Sequence, residues 1–472
     1  METCHPSASD READDSQLSS QKKTTNISSD FSARTILGLA IPALGALIVE
    51  PLLLLIDSVM IGSLGTAPLA GLSLASTILV TLVGVFVFLA YATTAQTAQA
   101  VGAGRPREGI KAGIEAMWLA AGIGIVTVTL LLIGAPLIVE WMGADATVFP
   151  QAVAYLRGAA PGMLPMLVIL AATGTLRGLL DMRTPLYVVT VGAFVNVALN
   201  LVLIFWLDLG ILGAGIGLSI TQSLMGATLV VVIVWRSREL DVSFRPSLGG
   251  LGHAIGAGTP LLIRTISLRL ALLATVALAT QIGVIALAAY QVVTTVWTMA
   301  AFALDALAIA AQSLVGVALG SGRRYALRTL VRTMTLWGAG AATVLGVAVA
   351  LLSRWIPLAF GTDPAMHQAA TRALLVIGLL MPIAGVVFLL DGVLIGASEG
   401  KYLALMGVVT LGAYLPALWV IRSHLPHNST LPLSTADQTQ ALMWLWIAFA
   451  GWFMMMRALT NGMRAFSPRF GG

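Results

Sequence analysis

Apolar stretches near or above the roughly 20 residues that cross a bilayer as a helix recur along this chain from Ala33 to Phe466. Charge supply decides what they mean. Hydrophobic residues make up 58% of the 472 and charged ones 10%, whereas a soluble domain carries about a quarter charged residues. That is too little charge to wet the surface of a chain this long. The short alternating segments of a β-barrel are absent. Glycines inside the apolar runs, as in Ala120-Ala121-Gly122-Ile123-Gly124, let helices approach closely. The expected fold class is all-α and integral to a membrane.

Turn signals divide the chain into about twelve spans, near 34–61, 68–100, 113–139, 150–178, 184–207, 211–235, 254–281, 285–317, 328–357, 367–396, 401–422 and 439–463. Residues 1–33 are polar, lack the apolar core of a signal peptide, and read as a disordered cytoplasmic tail. Residues 34–235 then form an N-terminal six-helix lobe, 236–252 a cytoplasmic linker, and 253–466 a C-terminal six-helix lobe. Basic residues gather in the loops after even-numbered spans (Arg105, Arg107, Lys111; Arg236, Arg238, Arg245; Arg323, Arg324, Arg328, Arg332) and in the tails. The positive-inside rule therefore puts both termini in the cytoplasm. The net charge of +5 reads as topology, not nucleic-acid binding, and the single cysteine, Cys4, supports no disulfide or metal site.

The chain repeats itself at one constant offset. Pro42 falls on Pro260 (260 − 42 = 218), Gly65 on Gly283, Leu69-Ala70 on Leu287-Ala288, Gly102-Ala103-Gly104-Arg105 on Gly320-Ser321-Gly322-Arg323, and Gly143-Ala144-Asp145 on Gly361-Thr362-Asp363. Each repeat holds an even number of spans, so both enter the membrane in the same orientation. They are expected to be related by a pseudo-two-fold axis along the membrane normal, with a cavity between lobes that rock to give alternating access.

Ionisable groups within spans are costly and few, so each is a functional candidate. Asp57 follows five apolar residues and has no basic residue within a helical turn, as a carboxylate that loads and releases a proton requires; Glu50 lies seven residues earlier on the same face. Asp305 and Asp391 share their half with Arg264 and Arg269, which points to structural ion pairs as much as to coupling. Arg157, Arg177, Arg372 and Arg457 lie nearer span ends. Asn196 and Asn200, four apart on one face, are candidate cavity-lining amides, as are Gln291 and Gln312. Met60, Met163, Met166, Tyr290, Trp297 and Met299 are candidates for a pocket that holds aromatic cations. There is no P-loop and no Cys/His metal cluster. No cofactor is expected, an ion gradient is the expected energy source, and the partners are a small-molecule substrate and membrane lipid.

Four stretches resemble the MATE (multidrug and toxin extrusion) family, in its DinF-like branch: Asp57-Ser58-Val59-Met60-Ile61-Gly62-Ser63-Leu64-Gly65, Arg177-Gly178-Leu179-Leu180-Asp181-Met182-Arg183-Thr184-Pro185, the run Leu304-Asp305 to Val315-Gly316, and Leu390-Asp391 to Gly396-Ala397. The resemblance implies no enzyme but a transporter, acting as a monomer and exporting organic cations or amphipathic drugs against inward proton or sodium flow. It puts Asp57 in the place of the proton-cycling aspartate and Tyr290 and Gln291 in a motif that often reads Ala-Ala-His-Gln. Where many relatives carry a second aspartate in span 5 this chain has Asn200, and its span 7 has arginines instead of the acidic residue of sodium-coupled members. Protons are therefore the expected ion and a bacterial cytoplasmic membrane the expected location. An exporter or flippase of lipid-linked or polar metabolites, sodium-coupled drug efflux, and a non-transporting membrane sensor are the alternatives.

Overall fold

The computed structural model describes residues 32–425, 433–468 and 470; the expected tail lies almost entirely outside them. Every expected span falls on a helix: α1 (Ala33–Gly62), α2 (Thr66–Gly102), α3 (Pro106–Trp141), α4 (Val148–Gly178), α5 (Arg183–Trp206), α6 (Gly210–Glu239), α7 (Leu248–Ile282), α8 (Val284–Gly320), α9 (Leu327–Leu352), α10 (Pro364–Gly396), α11 (Gly400–Ser423) and α12 (Thr435–Ala465). Among the described residues no strand occurs, as expected where lipid offers the backbone no hydrogen bonds.

Several helices outlast the membrane. α2 and α8 each run 37 residues, about 55 Å at 1.5 Å per residue, against an apolar bilayer core of about 30 Å. The expected linker is correspondingly shorter than its polar sequence suggested. Arg236 and Arg238 are still on α6, where cations suit a helix C-terminus, and α7 already begins at Leu248, with the Ser247 hydroxyl accepting from Gly250 N. What remains between the lobes is pinned to α3. Lys111 Nζ donates to Arg245 O at 2.6 Å, Trp118 Nε1 to Phe244 O at 2.9 Å, and Ser247 Oγ to Glu115 Oε1 at 2.6 Å. Glu115, buried in α3, thus places its carboxylate on the N-terminal turn of α7 from outside that helix.

The 218-residue offset reappears as paired contacts. Gly104 and Gly322 both adopt left-handed φ values, 72° and 71°. Gly174 on α4 lies against Ala90 of α2, and Gly392 on α10 lies against Ala308 of α8; Gly178 and Thr94, Gly396 and Gln312 repeat the relation one turn on. The two copies meet where α2 crosses α8. A Cβ on Gly102 would stand 2.1 Å from Val317 O, and one on Gly320 would stand 2.0 Å from Gln99 O. These four residues are two offset pairs (320 − 102 = 317 − 99 = 218), so the contact is its own mirror across the axis. Only glycine permits the approach.

That crossing lies toward the Arg105/Arg323 end, where the lobes are joined. Gln99 Nε2 donates to Gly396 O at 2.8 Å and to Ser398 Oγ at 2.9 Å, and one apolar cluster there draws on both lobes, from Ile36, Phe88 and Leu167 to Leu314, Leu330 and Val393. Away from this end each lobe has a core of its own, around Leu72, Leu156 and Ile204 in one and around Tyr290, Trp446 and Phe449 in the other.

Candidate functional site

Asp57 sits on α1 two turns below Glu50, and both face a cavity of about 90 Å³ inside the N-terminal lobe. At about 30 Å³ per water that is room for roughly three waters. Leu53, Leu54, Leu79, Val80, Val83, Met163 and Met166 give it an apolar wall; Ser76, Tyr155, Asn196 and Gln222 are its polar groups besides the two acids. The α1 stripe that faces it carries Glu50, Leu53, Leu54 and Asp57, while Leu52, Leu55 and Val59 are exposed on the opposite side.

Among the described residues no cation pairs with Asp57. It is 4% exposed, and its Oδ1 accepts from Asn200 Nδ2 at 2.8 Å. Asn200 is fully buried on α5, at the point where that helix loosens into a π-helical turn over Leu201–Trp206, a device common beside functional groups. Its amide also approaches Asn196 Oδ1 at 3.3 Å, and Asn196 reaches Thr221 on α6 at 3.4 Å. Three buried oxygens at or beside the cavity, Ser76 Oγ, Asn200 Oδ1 and Gln222 Oε1, have no hydrogen-bond partner among the described residues. Sequence spacing puts Asn196 and Asn200 on one face; what it leaves out is that α1 and α5 are neighbours, which joins Asn200 to Asp57.

The C-terminal lobe is arranged differently. Arg264 of α7 and Arg457 of α12 both hold Asp391 Oδ2, and Asn461 Nδ2 donates to its Oδ1 at 2.6 Å. Asp391 therefore lies in a closed ion network around a small internal void, not in the cavity of Asp57. Arg457 was placed near a span end by its sequence position; α12 continues to Ala465 and draws it inside. Arg269 enters no ion pair among the described residues, contrary to expectation. Its guanidinium lies instead over Gly84 of α2, where the missing side chain leaves room. Asp305 forms no hydrogen bond or ion pair there either, although Arg264, Arg177 and Arg457 act on it electrostatically.

The other candidates also find places away from the cavity. Gln312 bridges lobes, its Nε2 donating to Tyr91 O at 2.7 Å. Tyr290 stacks on Trp446 at 5.4 Å, and Trp297 packs edge-on to Phe449, in the core of the second lobe. Gln291, next along α8, is exposed. Of the methionines only Met163 and Met166 reach the cavity; Met299 is exposed. Asp181 caps α5 by accepting from Thr184 N and pairs with Arg236 at 2.6 Å, so its signature joins helices.

The offset makes the difference between lobes explicit. Asp57 corresponds to Thr275 and Asn196 to Tyr414 (275 − 57 = 414 − 196 = 218), and Thr275 and Tyr414 share a hydrogen bond of 2.7 Å. The helix pair that carries a carboxylate in the first lobe carries a neutral couple in the second. Conversely, Asp391 and Arg264 correspond to Thr173 and Ala46.

Comparison with known proteins agrees with this duplicated architecture. The MatE family profile matches twice, over residues 42–202 and 260–420, and the two matches are themselves displaced by 218 residues. Protein DETOXIFICATION 44, chloroplastic, of Arabidopsis thaliana is 30% identical over 79% of this chain and 74% of its own length. DNA damage-inducible protein F of Escherichia coli is 28% identical over 76% of this chain and 80% of its own. A crystal structure of the Vibrio cholerae MATE transporter VcmN in the bent form superposes with a TM-score of 0.79 at 19% identity, covering 93% of this chain and 98% of that one.

Proposed function

Because the chain belongs to the MatE family, with a DinF relative among its matches, it is a multi-pass membrane transporter, and we propose that it exports organic cations or amphipathic drugs in exchange for protons. A relative named for detoxification supports the export of toxic compounds. The charge distribution of the loops supports both termini on the cytoplasmic face, and the Ala-, Gly- and Arg-rich composition supports a bacterial cytoplasmic membrane. The reading takes the protein as a monomer that needs no cofactor, since the proton gradient supplies the energy.

One observation carries the coupling assignment: Asp57 is buried beside a cavity with an amide as its partner and, among the described residues, no paired cation. A carboxylate in that setting binds and releases a proton at little structural cost, because no buried arginine is stranded when its charge disappears. Asp391 lacks this freedom, since Arg264 and Arg457 both depend on it. Substrate binding and protonation at Asp57 then disfavour one another, and by linkage each lowers the other's affinity. Joining of the lobes at the Arg105/Arg323 end supports a cavity that opens toward the opposite face.

The test is substrate-induced proton release from purified protein. Wild type should release protons and Asp57→Asn should not, while remaining folded. Equal release from both would remove Asp57 from the mechanism. The buried oxygens without partners among the described residues, Ser76 Oγ, Asn200 Oδ1 and Gln222 Oε1, favour sodium as a second reading. Sodium-dependent efflux that persists at constant pH and vanishes in Asp57→Asn would replace the proton by sodium.

A further inference from the structure

Asp57 and Glu50 face one cavity from one helix, yet their surroundings differ. Asp57 is enclosed and already hydrogen-bonded to Asn200. Glu50 is exposed, borders the same cavity, and makes no hydrogen bond or ion pair among the described residues. Seven residues at 1.5 Å each separate the two along the helix by about 10 Å, so a group held by Glu50 does not touch Asp57. The cavity at about 90 Å³ is too small to admit a drug-sized molecule to the depth of Asp57, whereas a small charged head group fits at the rim.

The rim therefore offers a carboxylate without a donor among the described residues, above a wall of Leu53, Leu54, Leu79, Val80 and Val83. Such a set fits an ammonium that still carries N–H, with an apolar body attached.

We propose that Glu50 is the residue that selects the substrate: it binds the protonated amine of a cationic amphiphile, and Asp57 is left to the coupling ion. The proposal rests on the export reading above and divides its labour between two carboxylates. A carboxylate held out to an apolar cavity with no partner is costly; an arriving ammonium supplies that partner, so affinity depends on the substrate's charge.

Three dansyl amides that share one ring test this, ending in a protonated dimethylaminopropyl group, a quaternary trimethylammoniopropyl group, or an uncharged isopentyl group. Binding to the purified full chain is read by dansyl fluorescence, alongside substrate-induced proton release. Glu50→Gln should weaken the protonated amine about tenfold or more, as the loss of a charge-assisted hydrogen bond does, and leave the uncharged amide within about twofold. Glu50→Asp, which keeps the charge, should retain most of the preference for cation over neutral. Unchanged cation binding in Glu50→Gln overturns the proposal, and so does an equal loss of all three ligands in a folded Glu50→Gln or Glu50→Asp. Asp57→Asn reports on the export reading separately: it should lose proton release while still preferring the cation. If it keeps proton release, the coupling assignment falls and the selection by Glu50 stands.

Discussion

Replacing Asp391 by asparagine should unfold the C-terminal lobe and do so without having touched transport chemistry. The side chain keeps its shape but loses the charge that Arg264 and Arg457 share. Both guanidiniums are buried, with 9% and 8% exposure, and would be left as like charges in a medium of low dielectric. Breaking one buried ion pair by removing a partner costs about 3–5 kcal/mol. Here one deletion strands two cations, which puts the expectation at the upper end, about 5 kcal/mol, or more than a thousandfold in the ratio of folded to unfolded protein. The assay is unfolding in mixed detergent micelles, followed by tryptophan fluorescence. A companion variant, Arg264→Met with Asp391→Leu and Arg457→Met, removes the ion pairs and should be more stable than Asp391→Asn, because no arginine is left stranded, while Asp305 keeps Arg177 of the three arginines that act on it. Wild-type stability of Asp391→Asn would refute the reasoning. So would a triple variant as unstable as the single one. A stable Asp391→Asn that loses substrate-induced proton release would transfer coupling to this lobe.

Three further outcomes follow from the packing. Gly102→Ala and Gly320→Ala should each cost about 1–3 kcal/mol of overpacking and, being related by the repeat, should cost similar amounts; the accessibility of a cysteine introduced near the crossing of a Cys4-free variant should rise in both, and no change in either would deny the close approach. Ser247→Ala removes the cap of α7 and the bond to Glu115, so it should lose about 1 kcal/mol and expose residues 240–247 to protease; wild-type protection would show that the strap is not held there. A cysteine placed in the 102–112 loop of a Cys4-free variant should react with an impermeant thiol reagent only in everted vesicles, and labelling from outside intact cells would invert the topology.

The helices were legible because membrane crossing imposes a length, and length is visible without knowing any neighbour. The repeat was legible because glycine and proline positions recur at one offset. Partnerships were not. Nothing in the periodicity of α1 or α5 says that they touch, so Asn200 read as an amide lining a cavity and not as the partner of Asp57. The position of Arg457 near the end of span 12 points to headgroup water, yet the helix carries it inward to Asp391. Arg269 stood only five residues from Arg264 and seemed bound for the same network. Five residues are about 140° around a helix at 3.6 per turn, and the second arginine turns toward Gly84 instead. Tyr290 and Gln291 looked alike in sequence but point into a core and out of it.

The crossing of α2 and α8 has the geometry of an isologous interface, the kind two identical subunits form across a two-fold axis. In a homodimer of such lobes one gene would write both sides. Gln99 and Val317 would have to be the same residue, and an aspartate at position 57 would oblige a second one at Thr275. A single fused chain lifts that obligation. It keeps the symmetric contacts, Gly102 on Val317 and Gly320 on Gln99, while letting the positions of Asp57 and Asn196 diverge to Thr275 and Tyr414 in the other lobe. The molecule thereby carries one such carboxylate per two-lobed unit, a stoichiometry that no symmetric dimer of these lobes can have.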